Sequence, residues 1–271
     1  MPSLDRHITL RDFSSQADYD ACVALQDETW GRDFAERVPA AILRVAQKIG
    51  GVAAGGFDAD GRLFGFVFGM TGVRDGRLVH WSDMLAVHPD ARGTGLAARL
   101  KQHQRDVVQA HGVALMVWTA DPLVAGNAHF NINRLGARPV EYVVNMYGAK
   151  TGSVLHGSMP TDRAVYHWAL DDPASHGAVA GAPSDGDAAL PAAVAVDARG
   201  WPVAINTPGA TGVRVSVPHD LEAVQQADVD LALAWRLAVR EAFGRLHAGF
   251  TVARFVRAAG GQRPYYVLTR D

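Results

Sequence analysis

The chain has a single cysteine, Cys22, so no disulfide framework can form within it. With no second thiol and no clustered histidines, a zinc site is not expected either. Long apolar runs are also missing. No stretch is long enough to span a membrane, and MPSLDRHITL at the start has no apolar core like that of a signal peptide. A cytoplasmic protein is therefore expected. Charge of one sign is scarce: 26 Lys and Arg against 28 Asp and Glu leave a net charge of −2. That balance does not suggest a surface for nucleic acid or a membrane. What is present is an ordinary globular composition, 48% hydrophobic and 20% charged over 271 residues. This suffices for one large domain or two modest ones.

The most informative stretch runs from His80 to Ala98, HWSDMLAVHPDARGTGLAA. It reads as a strand (Trp81 to Val87), a break at His88-Pro89-Asp90, a turn at Arg92-Gly93-Thr94-Gly95, and a helix start. A helix N-terminus has backbone N–H groups without internal partners and the positive end of the helix dipole. Glycines ahead of it let the backbone approach a phosphate closely, and Arg92 adds a planar cation. No Gly-Lys-Ser/Thr follows, so this is not a Walker loop. Gly93-x-Gly95-x-x-Ala98 fits a loose dinucleotide pattern, but five residues separate the strand from the first glycine.

The flanks have a readable order. His7 to Phe13 alternates as a strand. Ser14 or Ser15 caps a helix that ends near Trp30-Gly31, and a second helix is expected from Pro39 to Lys48. Gly51–Phe57 and Arg62–Thr71 surround an Asp58–Gly61 turn as a hairpin, and a turn at Arg74–Gly76 leads to the central strand. After the glycine turn come a helix (Leu96 to His111) with Leu96, Leu100, Val107 and Val108 on its buried face, then a buried strand (Val113 to Thr119). A short helix (Asn127 to Leu135), a strand (Arg138 to Tyr147), the Pro160–Arg163 turn and a strand (Ala164 to Leu170) follow.

Val87-x-Pro89-x-x-Arg92-Gly93-x-Gly95-x-Ala97 resembles the acyl-coenzyme A motif of the GNAT superfamily of N-acyltransferases, Arg/Gln-x-x-Gly-x-Gly/Ala. Asn127 to Gly136 followed by a strand resembles the second signature of that superfamily. The resemblance covers about His7 to Leu170. More locally, Asp121-Pro122-Leu123, Asn127-Ala128-His129, Arg134-Leu135-Gly136 and Pro160-Thr161-Asp162-Arg163 look like a subgroup of longer members, for which amino-acid N-acylation is suggested.

The resemblance implies an α/β fold with a mixed, mostly antiparallel central sheet flanked by helices. It implies acetyl-coenzyme A or another acyl-coenzyme A as co-substrate, no metal, and a small-molecule amine as acceptor. Leu85 and Val87 would pair with the pantetheine arm in an opening between the strands at Trp81–Val87 and Val113–Thr119. Backbone groups of Arg92, Gly93, Thr94, Gly95, Leu96 and Ala97 would hold the pyrophosphate, and Asn127 is a further cofactor contact. Trp30, with Phe34, would line the acceptor pocket.

Direct transfer to an amine needs a base, a donor to the thioester oxygen and an acid for the thiolate. Asp83 is the first candidate base and His80 the second. Strand alternation places Trp81, Asp83 and Leu85 on one face and His80, Ser82 and Met84 on the other. Many relatives carry an acidic tyrosine where this chain has Ile132, so Tyr147, Tyr142 or water would substitute. Arg163 is the candidate partner for a substrate carboxylate, with Lys150 second.

From Asp171 to Pro191 the chain is rich in Ala, Gly, Asp, Ser and Pro, which reads as a linker or a long surface loop. The expected organisation is an acyltransferase domain over 1–172, a linker or long loop over 173–191 and a small α+β domain over 192–271. The last part reads as a hairpin (Ala192–Val196, Trp201–Ile205), a strand (Val213–Val217), a long helical region (Pro218 to Leu246) and a final hairpin. It has no Arg-Gly-x-Gly turn, so no coenzyme is assigned to it, and a lid or a homodimer contact are its open roles. Two rivals to an acyltransferase stand: a non-catalytic acyl-coenzyme A sensor of the same fold, and a dinucleotide-binding protein in which Asp121 reads the ribose.

Overall fold

The computed structural model describes residues 8–148, 151–155, 157, 159–173, 184, 186–257 and 263–270. The backbone divides into two compact units. The first comprises 1–118, 151–155 and 169–171; the second comprises 119–150, 156–168 and 172–271. Residues 192–271 thus fall in one unit with 119–150 and 156–168.

The first unit opens with β1 (Thr9–Asp12) and α1 (Gln16–Trp30). Ser15 is the cap of α1: its hydroxyl accepts from Asp18 N at 3.2 Å, and the Asp18 carboxylate accepts from Ser15 N at 3.1 Å. Arg11 adds two hydrogen bonds of 2.8 Å to the same carboxylate, which holds it well below the usual carboxylate range. Gly31, at φ 93°, ends the helix. α2 (Ala40–Lys48) starts behind Pro39, followed by β2 (Val52–Phe57), β3 (Leu63–Arg74) and β4 (Arg77–Val87). β3 and β4 turn through Asp75 and Gly76, both at positive φ, as a tight two-residue hairpin requires. α3 (Leu96–Ala110) and β5 (Leu115–Ala120) complete the run.

β1, β2, β3 and β4 pair antiparallel in sequence order, and β4 pairs parallel with β5. This is the mixed, mostly antiparallel sheet that the sequence led us to expect. One face packs on α1 and α2 through Phe13, Tyr19, Cys22, Leu25, Leu43, Phe66, Phe68, Met84 and Ala86. Cys22 is fully buried there and its thiol is pushed up to about 12 by burial, so it is a small core residue. The other face carries α3. β3 presents Gly65 and Gly69 to it: a Cβ on Gly65 would sit 3.1 Å from Leu96, and one on Gly69 would collide with His80.

In the second unit, α4 (Ala125–Ala128) runs into a π-helical turn, His129–Arg134. The single short helix expected over Asn127–Leu135 is therefore an α-helical turn plus a π-helical one. β6 (Arg138–Val143) pairs antiparallel with β7 (Arg163–Ala169). β6 is shorter than the strand expected to Tyr147, because Asn145 adopts φ 50° and its N–H bonds the Asp162 carboxylate at 3.1 Å. β8 (Ala192–Val196), β9 (Pro202–Ala204), β10 (Gly212–Ser216), β11 (Phe250–Val256) and β12 (Tyr265–Arg270) form a second sheet in the order β11-β12-β10-β8-β9. The expected long helix is two, α5 (Leu221–Ala227) and α6 (Val229–Phe243). Asp228 breaks the run because its extended backbone caps α6, with its carboxylate accepting from Leu231 N at 3.0 Å. The expected linker lies mostly outside the described residues.

Candidate functional site

Two irregularities of β4 shape the first unit's candidate site. The described β4–β5 pairs cover only Val79 to Trp81, opposite Leu115 to Val117, although β4 continues to Val87. On the other edge, Ser82 pairs with Gly69 and Met84 with Phe68, which leaves Asp83 as the extra residue of a β-bulge. The bulge reverses side-chain parity. His80 and Ser82 meet Gln104 of α3, while Met84 joins the core cluster under α1 and α2. Met84 is thus on the face opposite His80 and Ser82, a correction to simple alternation that only the inserted residue explains.

Asp83 is exposed. Its Oδ1 accepts from the Trp81 indole N–H at 3.2 Å. Surrounding protein desolvates the carboxyl and raises its pKa, with the indole bond opposing. An accessible carboxylate with a raised pKa is a better proton acceptor than an ordinary one.

His80, the second candidate base, is fully buried with both ring nitrogens engaged. Nδ1 lies 2.9 Å from Thr71 Oγ1 and Nε2 lies 3.0 Å from Gln104 Nε2. Burial, with Lys101 beside it, pushes its pKa down to about 3. It is a neutral core histidine and does not face an open surface.

Leu85 and Val87 are half-buried and pair with Val67 and Gly65 of β3. After Val87, His88 caps a one-turn helix, Pro89–Ala91. Arg92, Gly93, Thr94 and Gly95 are all exposed, and Gly93 and Gly95 sit at φ 79° and 83°. A Cβ at either glycine would meet nothing within 4 Å, so backbone conformation, with open space in front, is what calls for glycine here. Thr94 Oγ1 closes the turn on Ala91 O at 2.7 Å.

α3 then begins with no side-chain cap and no acidic residue in its first turn. Its first helical bond is Arg99 N to Gly95 O, 3.1 Å, so the N–H groups of Leu96, Ala97 and Ala98 precede the ladder. Leu96 anchors the helix in the core, while the small Ala97 is half-buried. This geometry fits a phosphate.

Trp30 is half-buried, stacked on Phe34 at 5.7 Å and edge-on to Phe66 at 6.3 Å. Phe34 itself is buried. In the second unit, Asn127 is exposed on α4. Ile132 is fully buried. Tyr142 donates to the Asp162 carboxylate at 2.7 Å, and burial raises its pKa, so it is committed to the core. Tyr147 is half-buried in the turn after β6, with its hydroxyl 2.8 Å from Thr119 Oγ1. Arg163, expected in a turn, is the first residue of β7 and is buried; it bonds Asp162 O at 2.9 Å and lies 3.9 Å from Asp121. Lys150 lies outside the described residues.

Sequence reading missed the arginines of α6. Arg236, almost fully buried, binds both oxygens of Asp121, at 2.8 and 2.5 Å, and Arg240 binds both oxygens of Asp162, at 2.8 and 2.9 Å. Asp121 is therefore engaged by a guanidinium and is not presented to a ribose hydroxyl. Among the described residues no group of three or more His, Cys, Asp or Glu could hold a metal ion. No helix among them is long and apolar enough to cross a membrane.

No family model matches the chain, and no curated protein matches it. Several solved structures are similar. An N-acetyltransferase from Staphylococcus aureus Mu50 is 16% identical, with a TM-score of 0.49, over 61% of this chain and 99% of that one. The ribosomal-protein-S18-alanine N-acetyltransferase from Escherichia coli is 17% identical, with a TM-score of 0.47, over 61% and 95%. The NatC complex, solved with a Gag peptide and CoA, is 14% identical, with a TM-score of 0.46, over 59% and 96%.

Proposed function

We propose that this chain is an acyl-coenzyme A-dependent N-acyltransferase of the GNAT type that acylates a small-molecule amine, with an amino acid as the leading acceptor class and acetyl or succinyl as the leading acyl groups. The observation that carries the reading is the turn from Val87 into α3. A strand that leaves its parallel partner runs into two left-handed glycines and an uncapped, acid-free helix start. An acyl-coenzyme A needs that combination: a free strand edge for its amide-bearing arm and backbone donors for its pyrophosphate.

Backbone N–H groups from Gly93 to Ala97, with the exposed Arg92, would hold the pyrophosphate, and Leu85 and Val87 would offer the strand edge. Coenzyme A supplies the activated thioester. Asp83 takes the proton from the acceptor ammonium, and its raised pKa makes it a stronger base than an ordinary carboxylate. Ile132 has no exchangeable proton and Tyr142 is bound to Asp162, which leaves water to protonate the departing thiolate.

The test is release of free thiol from acetyl- and succinyl-coenzyme A across an amine panel, with Asp83→Asn as control. Amine-dependent release that falls in the variant supports the reading; coenzyme A binding without transfer to any amine would favour the sensor instead. The buried Ile132, where many relatives place an acidic tyrosine, is what keeps that second reading standing.

A further inference from the structure

α3 buries a lysine. Lys101 is 2% exposed and Gln104 is fully buried, both facing β4. Lys101 Nζ donates to Ser82 Oγ at 2.8 Å and lies 3.3 Å from Gln104 Oε1, 3.5 Å from Met116 Sδ and 3.9 Å from the centre of the Trp118 ring. Ser82 Oγ donates to Gln104 Oε1 at 2.8 Å. The Gln104 amide N–H, 3.0 Å from His80 Nε2, makes that nitrogen an acceptor, so the ring proton sits on Nδ1 and points to Thr71 Oγ1. Thr71 donates to Gly50 O at 2.8 Å. One directed chain of hydrogen bonds thus runs from Lys101 to the Gly50 carbonyl, with every link paired.

An apolar residue at position 101 would fill this space without desolvating an amine. The network grips β4 at Ser82, between the last residue paired with β5, Trp81, and the bulged Asp83. There the ladder fixes the strand least. We propose that Lys101, acting through Ser82 and Gln104, is a positioning residue that holds the bulge of β4 and so sets the strand edge along which the pantetheine arm of coenzyme A lies. This rests on the acyltransferase reading above. It separates two parts of one cofactor: the glycine turn holds the phosphates and the Lys101 network holds the edge for the arm.

The test compares coenzyme A with 3′-phosphoadenosine 5′-diphosphate, its arm-free half, by titration calorimetry on wild type, Lys101→Met and Ser82→Ala. In Lys101→Met, coenzyme A affinity is expected to drop about tenfold or more, with the arm-free half bound as in wild type and the melting temperature equal or higher. Ser82→Ala should show the same selective loss, and the double variant should lose no more than Lys101→Met alone. If Lys101→Met fails to fold, Ser82→Ala carries the test. Equal weakening of both ligands, or no weakening of either, would overturn the positioning role while leaving the acyltransferase reading intact. A wild type that binds neither ligand would overturn that reading, and this inference with it.

Discussion

α3 and α6 are both fifteen residues long, and they begin in opposite ways. α6 starts behind Asp228, whose carboxylate occupies one of the N–H groups a helix leaves unpaired. α5 does the same with Asp220, which accepts from Ala223 N at 3.1 Å. α3 starts behind Gly95, with no side chain to cap it and no acid in the first turn. A capped start is finished within the fold, whereas an open one leaves donors and a positive dipole end for an anion. An open start alone is not enough: α2 also lacks a side-chain cap, but it follows Pro39 and no glycine turn precedes it. It is the coincidence of the open start, two left-handed glycines and a strand leaving its partner that makes α3 the candidate cofactor site.

Filling the open end has the largest expected effect. Gly95→Trp puts an indole into empty space before α3 and is predicted to abolish coenzyme A binding in a variant whose circular dichroism remains native. Undiminished binding would show that the phosphates lie elsewhere. Next comes Asp83→Asn, which should lower acyl transfer by about a hundredfold or more while leaving coenzyme A affinity unchanged. In wild type the acid limb of the rate profile should lie above the ordinary carboxylate value of 3.8, because the carboxyl must be ionised to act and desolvation by the surrounding protein raises its pKa. The variant should lose that limb.

A stability effect follows from His80. In the fold it titrates at about 3, against 6.5 in a free chain. Between those values the unfolded chain binds the proton and the folded one does not, so acid favours unfolding. The contribution is present in full above pH 6.5 and is lost as pH falls toward 3. Urea titrations of wild type and His80→Gln should therefore converge as pH drops through that window; a constant gap would mean that His80 is not held neutral. The smallest effect is expected at the closed end. Asp228→Ala should cost about 1 kcal/mol of stability and leave coenzyme A binding untouched. A loss of binding there would erase the distinction between the two helix starts.

Much of this was legible in the chain. Periodicity and turn residues placed the order of elements, and Asp58–Gly61 and Asp75-Gly76 marked their hairpins. The Arg92–Ala97 turn stood out because glycines at set spacing before a helix have a backbone reason to be there. The bulge was not legible: an inserted residue leaves local alternation intact and shows itself only against the partner strand, Phe68 and Gly69 here. It moved Met84 to the other face. Lys101 was hidden because a lysine on a helix usually reaches water. The available signal was its spacing, since Lys101, Gln104 and Val108 fall on one stripe at intervals of three and four. The pairs Asp121–Arg236 and Asp162–Arg240 span 115 and 78 residues, a separation over which pattern says nothing.

Whether the first unit binds coenzyme A is decided by a thermal-shift titration with coenzyme A, acetyl-coenzyme A, succinyl-coenzyme A and NAD. A ligand that binds only the folded chain stabilises it by about 2.7 kcal/mol at a hundred times its dissociation constant. We predict a saturable rise in melting temperature with the coenzyme A species, absent in Gly95→Trp, and none with NAD. A shift with NAD alone would contradict the account and identify the Gly93–Ala98 turn as a dinucleotide site.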